Sequence, residues 1–166
     1  RTHRDARTGL LRRLLIGPLP AADELARFGL EPAGRYHCLV CDVTDPNSAR
    51  RLEQRWSGCG GLFGTVEGRL AGLTPRPPAA GTVDATVLVV VAPAGPLSDI
   101  GAAYRLCVEA RQAAESFGRR GLHGVADLAA ETALAGQPLL AELLSDSLLH
   151  GLRPADEFHR ELASTA

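Results

Sequence analysis

Apolar positions at the start of the chain follow a helical period. Leu10, Leu11, Leu14 and Leu15 form one stripe, and Gly17-Pro18 stops the helix they predict. A second short helix is expected over 21–28. Asp23 and Glu24 lie in its first turn, where the helix dipole favours negative charge, and Gly29-Leu30 makes a suitable end. From Arg35 to Val43 the pattern reads as a strand. Asp45-Pro46-Asn47-Ser48 follows, with Asn47 or Ser48 expected to cap a helix reaching Trp56, which Gly58, Gly60 and Gly61 end. Leu62–Val66 and Arg69–Leu73 then read as two strands joined by Glu67-Gly68, a pair that suits a two-residue hairpin turn.

The stretch 72–81 contains Pro75, Pro77 and Pro78 and is expected to be an extended loop. Ala85–Val91 is an almost continuous β-branched run, the pattern of a strand covered on both faces. Ser98 is expected to cap the longest helix, with Ile100, Ala103, Tyr104, Cys107, Ala110, Ala114 and Phe117 along one side and Gly118 at its end. A last strand is predicted over 122–126. Asp127 would then cap a helix to Ala135, Pro138 would open another to about Leu149, and a final helical start covers 155–166. This order predicts an α+β fold, an antiparallel sheet carrying helices on one face, flanked by N- and C-terminal helices.

Composition narrows the functional classes. The chain has 166 residues, 45% of them hydrophobic, enough for one packed domain. Its apolar runs are far short of the roughly 20 residues that cross a bilayer, so no membrane partner is expected. Arg1 opens the chain and Met is absent, which leads us to expect a fragment of a longer polypeptide. All 18 basic residues are Arg. The first 13 residues carry a net charge of +4 and the remainder −5. Nucleic-acid binders gain affinity by neutralising phosphates, so the acidic body is a poor DNA-binding surface by itself.

Cys38 and Cys41 form a C-x-x-C spacing, but on a strand residues three apart point to opposite faces and cannot share a metal. Cys59 and Cys107 supply no second pair at ligand spacing, so four reduced, mostly buried cysteines are expected, consistent with a cytoplasmic setting. None of His3, His37, His123, His150 and His159 pairs with an acid at metal-ligand spacing. The glycines of 58–64 precede a strand and not a helix, which is the wrong geometry for a phosphate cradle.

Several segments, taken in series, resemble a known family. These are Leu10-Leu11-Arg12-Arg13-Leu14-Leu15, Phe28-Gly29-Leu30-Glu31-Pro32 with Tyr36, Gly61-Leu62-Phe63-Gly64 with Leu70-Ala71-Gly72-Leu73, Ala103-Tyr104-Arg105 with Ala110, and Gly121-Leu122 with Ala126-Asp127-Leu128. Together they resemble the GGDEF-like middle domain of actinobacterial PucR/CdaR-type transcriptional regulators. The resemblance spans about 9–160. It implies a ferredoxin-like, degenerate nucleotide-cyclase sheet over 31–127, preceded by a linker with short helices over 1–30. Helices over 128–166 would lead toward a helix-turn-helix module that lies outside this sequence.

In active cyclases of that fold, paired acids on the hairpin and acids on the first strand hold two metal ions, which neutralise triphosphate charge. The hairpin here, Phe63-Gly64-Thr65-Val66-Glu67-Gly68-Arg69, offers one acid, Glu67. Asp42 and Asp45 are three apart and would diverge on a continuing strand. The resemblance therefore implies a non-catalytic domain that dimerises or transmits a signal, with no cofactor and no metal, and DNA contact only through the absent module. The alternative it implies is a sensor binding a nucleotide or other small-molecule effector in the degenerate cleft, around Asp42, Asp45, Asn47 and Glu67. Two-fold DNA half-sites favour a homodimer.

Overall fold

Why the leucine stripe exists is plain from its surroundings. The computed structural model describes residues 3–137 together with Leu139 and Leu143. Helix α1 (His3–Ile16) buries Leu10, Leu11, Leu14 and Leu15 in the main hydrophobic cluster, so these residues are core. Helix α2 (Ala22–Arg27) ends at Gly29, whose φ of 79° is the left-handed conformation glycine adopts freely, and the Leu30 N–H returns to the Leu25 carbonyl at 3.0 Å. Arg13 of α1 pairs with Glu24 of α2.

Strand β1 (Arg35–Cys41) runs through the middle of the sheet and is buried on both sides from Cys38 onward. Helix α3 (Pro46–Arg55) follows. Its cap is Asp45 and not Asn47 or Ser48: Asp45 Oδ2 accepts from the Ser48 N–H at 2.9 Å, while Pro46 fills the first turn, where a missing N–H costs nothing. Strands β2 (Leu62–Val66) and β3 (Arg69–Thr74) form the expected hairpin. Glu67 and Gly68 both have positive φ, 51° and 84°, as a two-residue turn matched to strand twist requires. At Gly61 any side chain is excluded, since a Cβ there would lie 1.9 Å from the Leu73 carbonyl oxygen.

The segment after β3 is less extended than its prolines suggest, because residues Ala80–Thr82 form a 3-10 turn. Strand β4 (Leu88–Val91) starts three residues later than the β-branched run, which Asp84 breaks by accepting from the Thr86 N–H. A two-residue strand, β5 (Gly95–Pro96), pairs with the start of β1. Helix α4 (Ile100–Ser116) is preceded by a 3-10 turn, Leu97–Asp99, so Ser98 lies inside that turn and caps nothing. Strand β6 (Gly121–Gly124) gives way to another 3-10 turn, Val125–Leu128. Asp127 belongs to that turn, where it accepts from the Gly124 N–H at 3.3 Å, and helix α5 (Ala129–Ala135) begins only afterwards. The helices expected over 138–149 and 155–166 fall outside the described residues, apart from Leu139 and Leu143, which are helical and exposed.

The strand order is β2-β3-β1-β4-β6. Two expectations are corrected here. The sheet is mixed: β1 is antiparallel to both β3 and β4, and β2 to β3, but β6 lies parallel to β4, with Val89 opposite Leu122. A strand–helix–strand unit returns the chain in the same direction, which is why α4 makes its two strands parallel. The helices also cover both faces. Leu88 and Val90 of β4 pack with α1 and α4, whereas Val89 packs on the other side with Leu52 and Trp56 at α3.

Alternation on β1 places Cys38 in the α1/α4 cluster and Cys41 in the α3 cluster, as a strand requires. All four cysteines are free, and Cys38, Cys41 and Cys107 are buried. Among the described residues, no helix is long and apolar enough to cross a membrane.

Candidate functional site

Four acid or amide side chains stand at one end of the sheet, where β1 runs out and the β2–β3 hairpin turns. The β1–β3 register pairs Val40 with Ala71, and the Leu70 N–H bonds to the Val43 carbonyl, so Asp42 emerges beside the hairpin tip. The fold then sends the four in different directions. Asp42 turns toward β4: its Oδ1 accepts from the Leu88 N–H at 3.1 Å, its own N–H donates to the Leu88 carbonyl, and Arg120 Nη1 lies 4.0 Å from Oδ2. Asp45 is consumed by its cap. The Ser48 N–H and then the Ser48 hydroxyl hold its carboxyl below the usual carboxylate range. Asn47 is exposed in the first turn of α3.

Glu67 turns toward α4. Tyr104 Oη donates to Glu67 Oε1 at 2.6 Å, a charge-assisted bond from a buried phenol to an exposed carboxylate. Burial first, and the carboxylate second, push the Tyr104 phenol above its ordinary value. A glutamate in a left-handed turn position is uncommon, and here the conformation delivers its carboxylate to the helix. No three His, Cys, Asp or Glu side chains among the described residues group as a metal ion would need.

Of the four, Glu67 alone borders a cavity of about 220 Å³ between the hairpin and α4. Its other walls are Val40, Val66, Arg69, Tyr104, Val108, Arg111 and Gln112. Arg111 is only 3% exposed. Its Nη1 donates to Glu115 Oε1 at 2.6 Å, one helical turn on, but its buried Nε has no hydrogen-bond partner. Arg69 Nε is likewise buried and unpartnered, and among the described residues the Arg69 side chain makes no hydrogen bond or ion pair. Buried donors are nearly always satisfied, so two residues that line one cavity and each carry a buried, unbonded Nε–H stand out.

The two arginines differ in how far the sequence marks them. Arg111 sits four residues after Cys107 and seven after Tyr104, on the apolar stripe of α4, and a cation at a core-facing helical position is itself a signal. Arg69 carries no comparable signal, since a charged residue next to a hairpin turn is ordinary. Two arginines of the N-terminal stretch serve the fold: Arg4 pairs with Glu53 at 2.8 Å and Arg7 Nη2 donates to the Gly61 carbonyl at 2.6 Å. His37 Nδ1 lies 2.8 Å from the Ala92 carbonyl oxygen, a half-buried histidine on the central strand.

No family model, no curated protein and no solved structure matches this chain.

Proposed function

We propose that the chain is a non-catalytic regulatory domain of the GGDEF-like, PucR/CdaR type, which dimerises or passes a signal to a DNA-binding module. The observation that carries this reading is the disposition of the acids. Asp42 is tied to the β4 backbone, Asp45 to the start of α3 and Glu67 to Tyr104 on α4. Two-metal nucleotidyl chemistry needs carboxylates converging on one space, and these three diverge. The antiparallel order β2-β3-β1-β4, with a helix between β1 and β2 and the hairpin tip beside the end of β1, supports the ferredoxin-like, degenerate-cyclase reading of the sheet.

The test is direct. The purified chain is incubated with GTP or ATP and Mg²⁺ or Mn²⁺, and nucleotide products are resolved by chromatography. The expected result is no conversion above a protein-free control, and formation of a cyclic or linked nucleotide overturns the reading. Sedimentation velocity tests the dimerisation arm, with a concentration-dependent dimer expected.

A further inference from the structure

We propose that the cavity between the β2–β3 hairpin and α4 binds a small oxyanion, a carboxylate or phosphate group held by Arg69 from β3 and Arg111 from α4. The inference stands whether or not the domain is regulatory, because it rests on side chains the nucleotide argument never uses. A guanidinium presents five N–H donors in a fixed fork that matches the paired oxygens of a carboxylate or phosphate. Arg111 spends one of these on Glu115 and keeps a buried Nε–H unbonded, and Arg69 spends none within the described fold. Each orphaned donor is an unmade bond in a poorly hydrated place, and an oxyanion supplies the missing acceptors.

The cavity also sets the size and character of the ligand. About 220 Å³ is below the range of pockets that enclose drug-sized molecules, so a whole nucleotide does not fit. Val40, Val66 and Val108 give an apolar lining for a short hydrocarbon portion. Glu67 at the rim repels a second negative group and favours a ligand with one anionic end. Tyr104 keeps Glu67 aimed at α4, leaving Arg69 without that counter-charge.

Two probes separate the sources of the anion: inorganic phosphate and propionate, each titrated calorimetrically into the full chain against potassium chloride at matched ionic strength. Saturable binding of one or both, at a dissociation constant of about 1 mM or tighter, is expected, and the tighter probe names the class. Arg69→Gln, at a half-buried position, should weaken that binding about tenfold or more. Glu115→Gln removes the carboxylate charge that competes for Arg111 and should tighten it, a change that a purely structural ion pair would not produce. Neither probe binding above the chloride reference overturns the proposal, as does Arg69→Gln binding like the parent. Unchanged or weaker binding in Glu115→Gln contradicts the role given to Arg111.

Discussion

On the α3 face of the sheet, Trp56 is fully buried, its indole N–H reaches Thr82 Oγ1 at 3.0 Å, and Asp45 is bonded to Ser48. On the α1/α4 face the aliphatic core is larger, yet it encloses Arg111 with one N–H unsatisfied, next to Arg69 in the same condition. The family resemblance directs attention to the carboxylates at the sheet end, and those are the groups the fold has already used. A polar side chain whose bonds are complete is holding the structure, whereas one left incomplete in a cavity is free to hold something else.

The largest effect should come from the α3 face. Trp56→Ala removes a fully buried ring from a small cluster and should cost about 3–5 kcal/mol in chemical denaturation, enough to unfold a marginal domain. A loss below about 1 kcal/mol would mean that this face contributes little to the fold. Tyr104→Phe comes next. It keeps the ring in the core and deletes the bond to Glu67, which should cost about 1.5 kcal/mol, the low end for a charged hydrogen bond because Glu67 is exposed. An unchanged midpoint would show that Glu67 is not anchored to α4.

A pH-dependent effect follows from buried groups on both faces. The Cys107 contact and burial raise the Cys38 thiol, burial and then Asp42 raise the Cys41 thiol, and Tyr104 is raised as described. The folded values exceed the unfolded ones, so the associated stability is complete below the unfolded thiol value. It is lost progressively as pH climbs from there toward the folded values. Denaturation midpoints should therefore fall between about pH 8 and about pH 10, where the unfolded thiols and phenols ionise and the folded ones do not. Cys41→Ala should flatten part of that fall, and a flat profile in the parent chain would contradict the burial of these groups.

Much of this was legible in the sequence for identifiable reasons. Helical spacing of Leu10, Leu11, Leu14 and Leu15 identified a helix whose apolar stripe the fold then buries, Glu67-Gly68 identified the hairpin, and the run ending at Val91 identified a strand buried on both faces. The cap of α3 was misplaced because Asp, Asn and Ser are nearly equivalent formers, and only the fixed φ of Pro46 decides for Asp45. Parallel pairing of β6 follows from the β4–α4–β6 crossover, whereas the order of strands and helices along the chain leads to the expectation of an antiparallel sheet. The cavity was invisible for a different reason. It depends on Arg69 and Arg111 lining one space across 42 positions of sequence, and although Arg111 falls on the apolar stripe of α4, nothing local ties it to Arg69.

The most direct test of the contrast is Arg111→Met, measured by equilibrium denaturation beside the parent chain. Methionine fills the volume of the side chain's aliphatic stem, removes the unbonded Nε–H, and leaves behind Glu115, which is 36% exposed and can be hydrated. The account predicts stability within about 1 kcal/mol of the parent, or a slight gain. A loss of about 3 kcal/mol or more would show that the guanidinium is held for the fold, and would contradict the account.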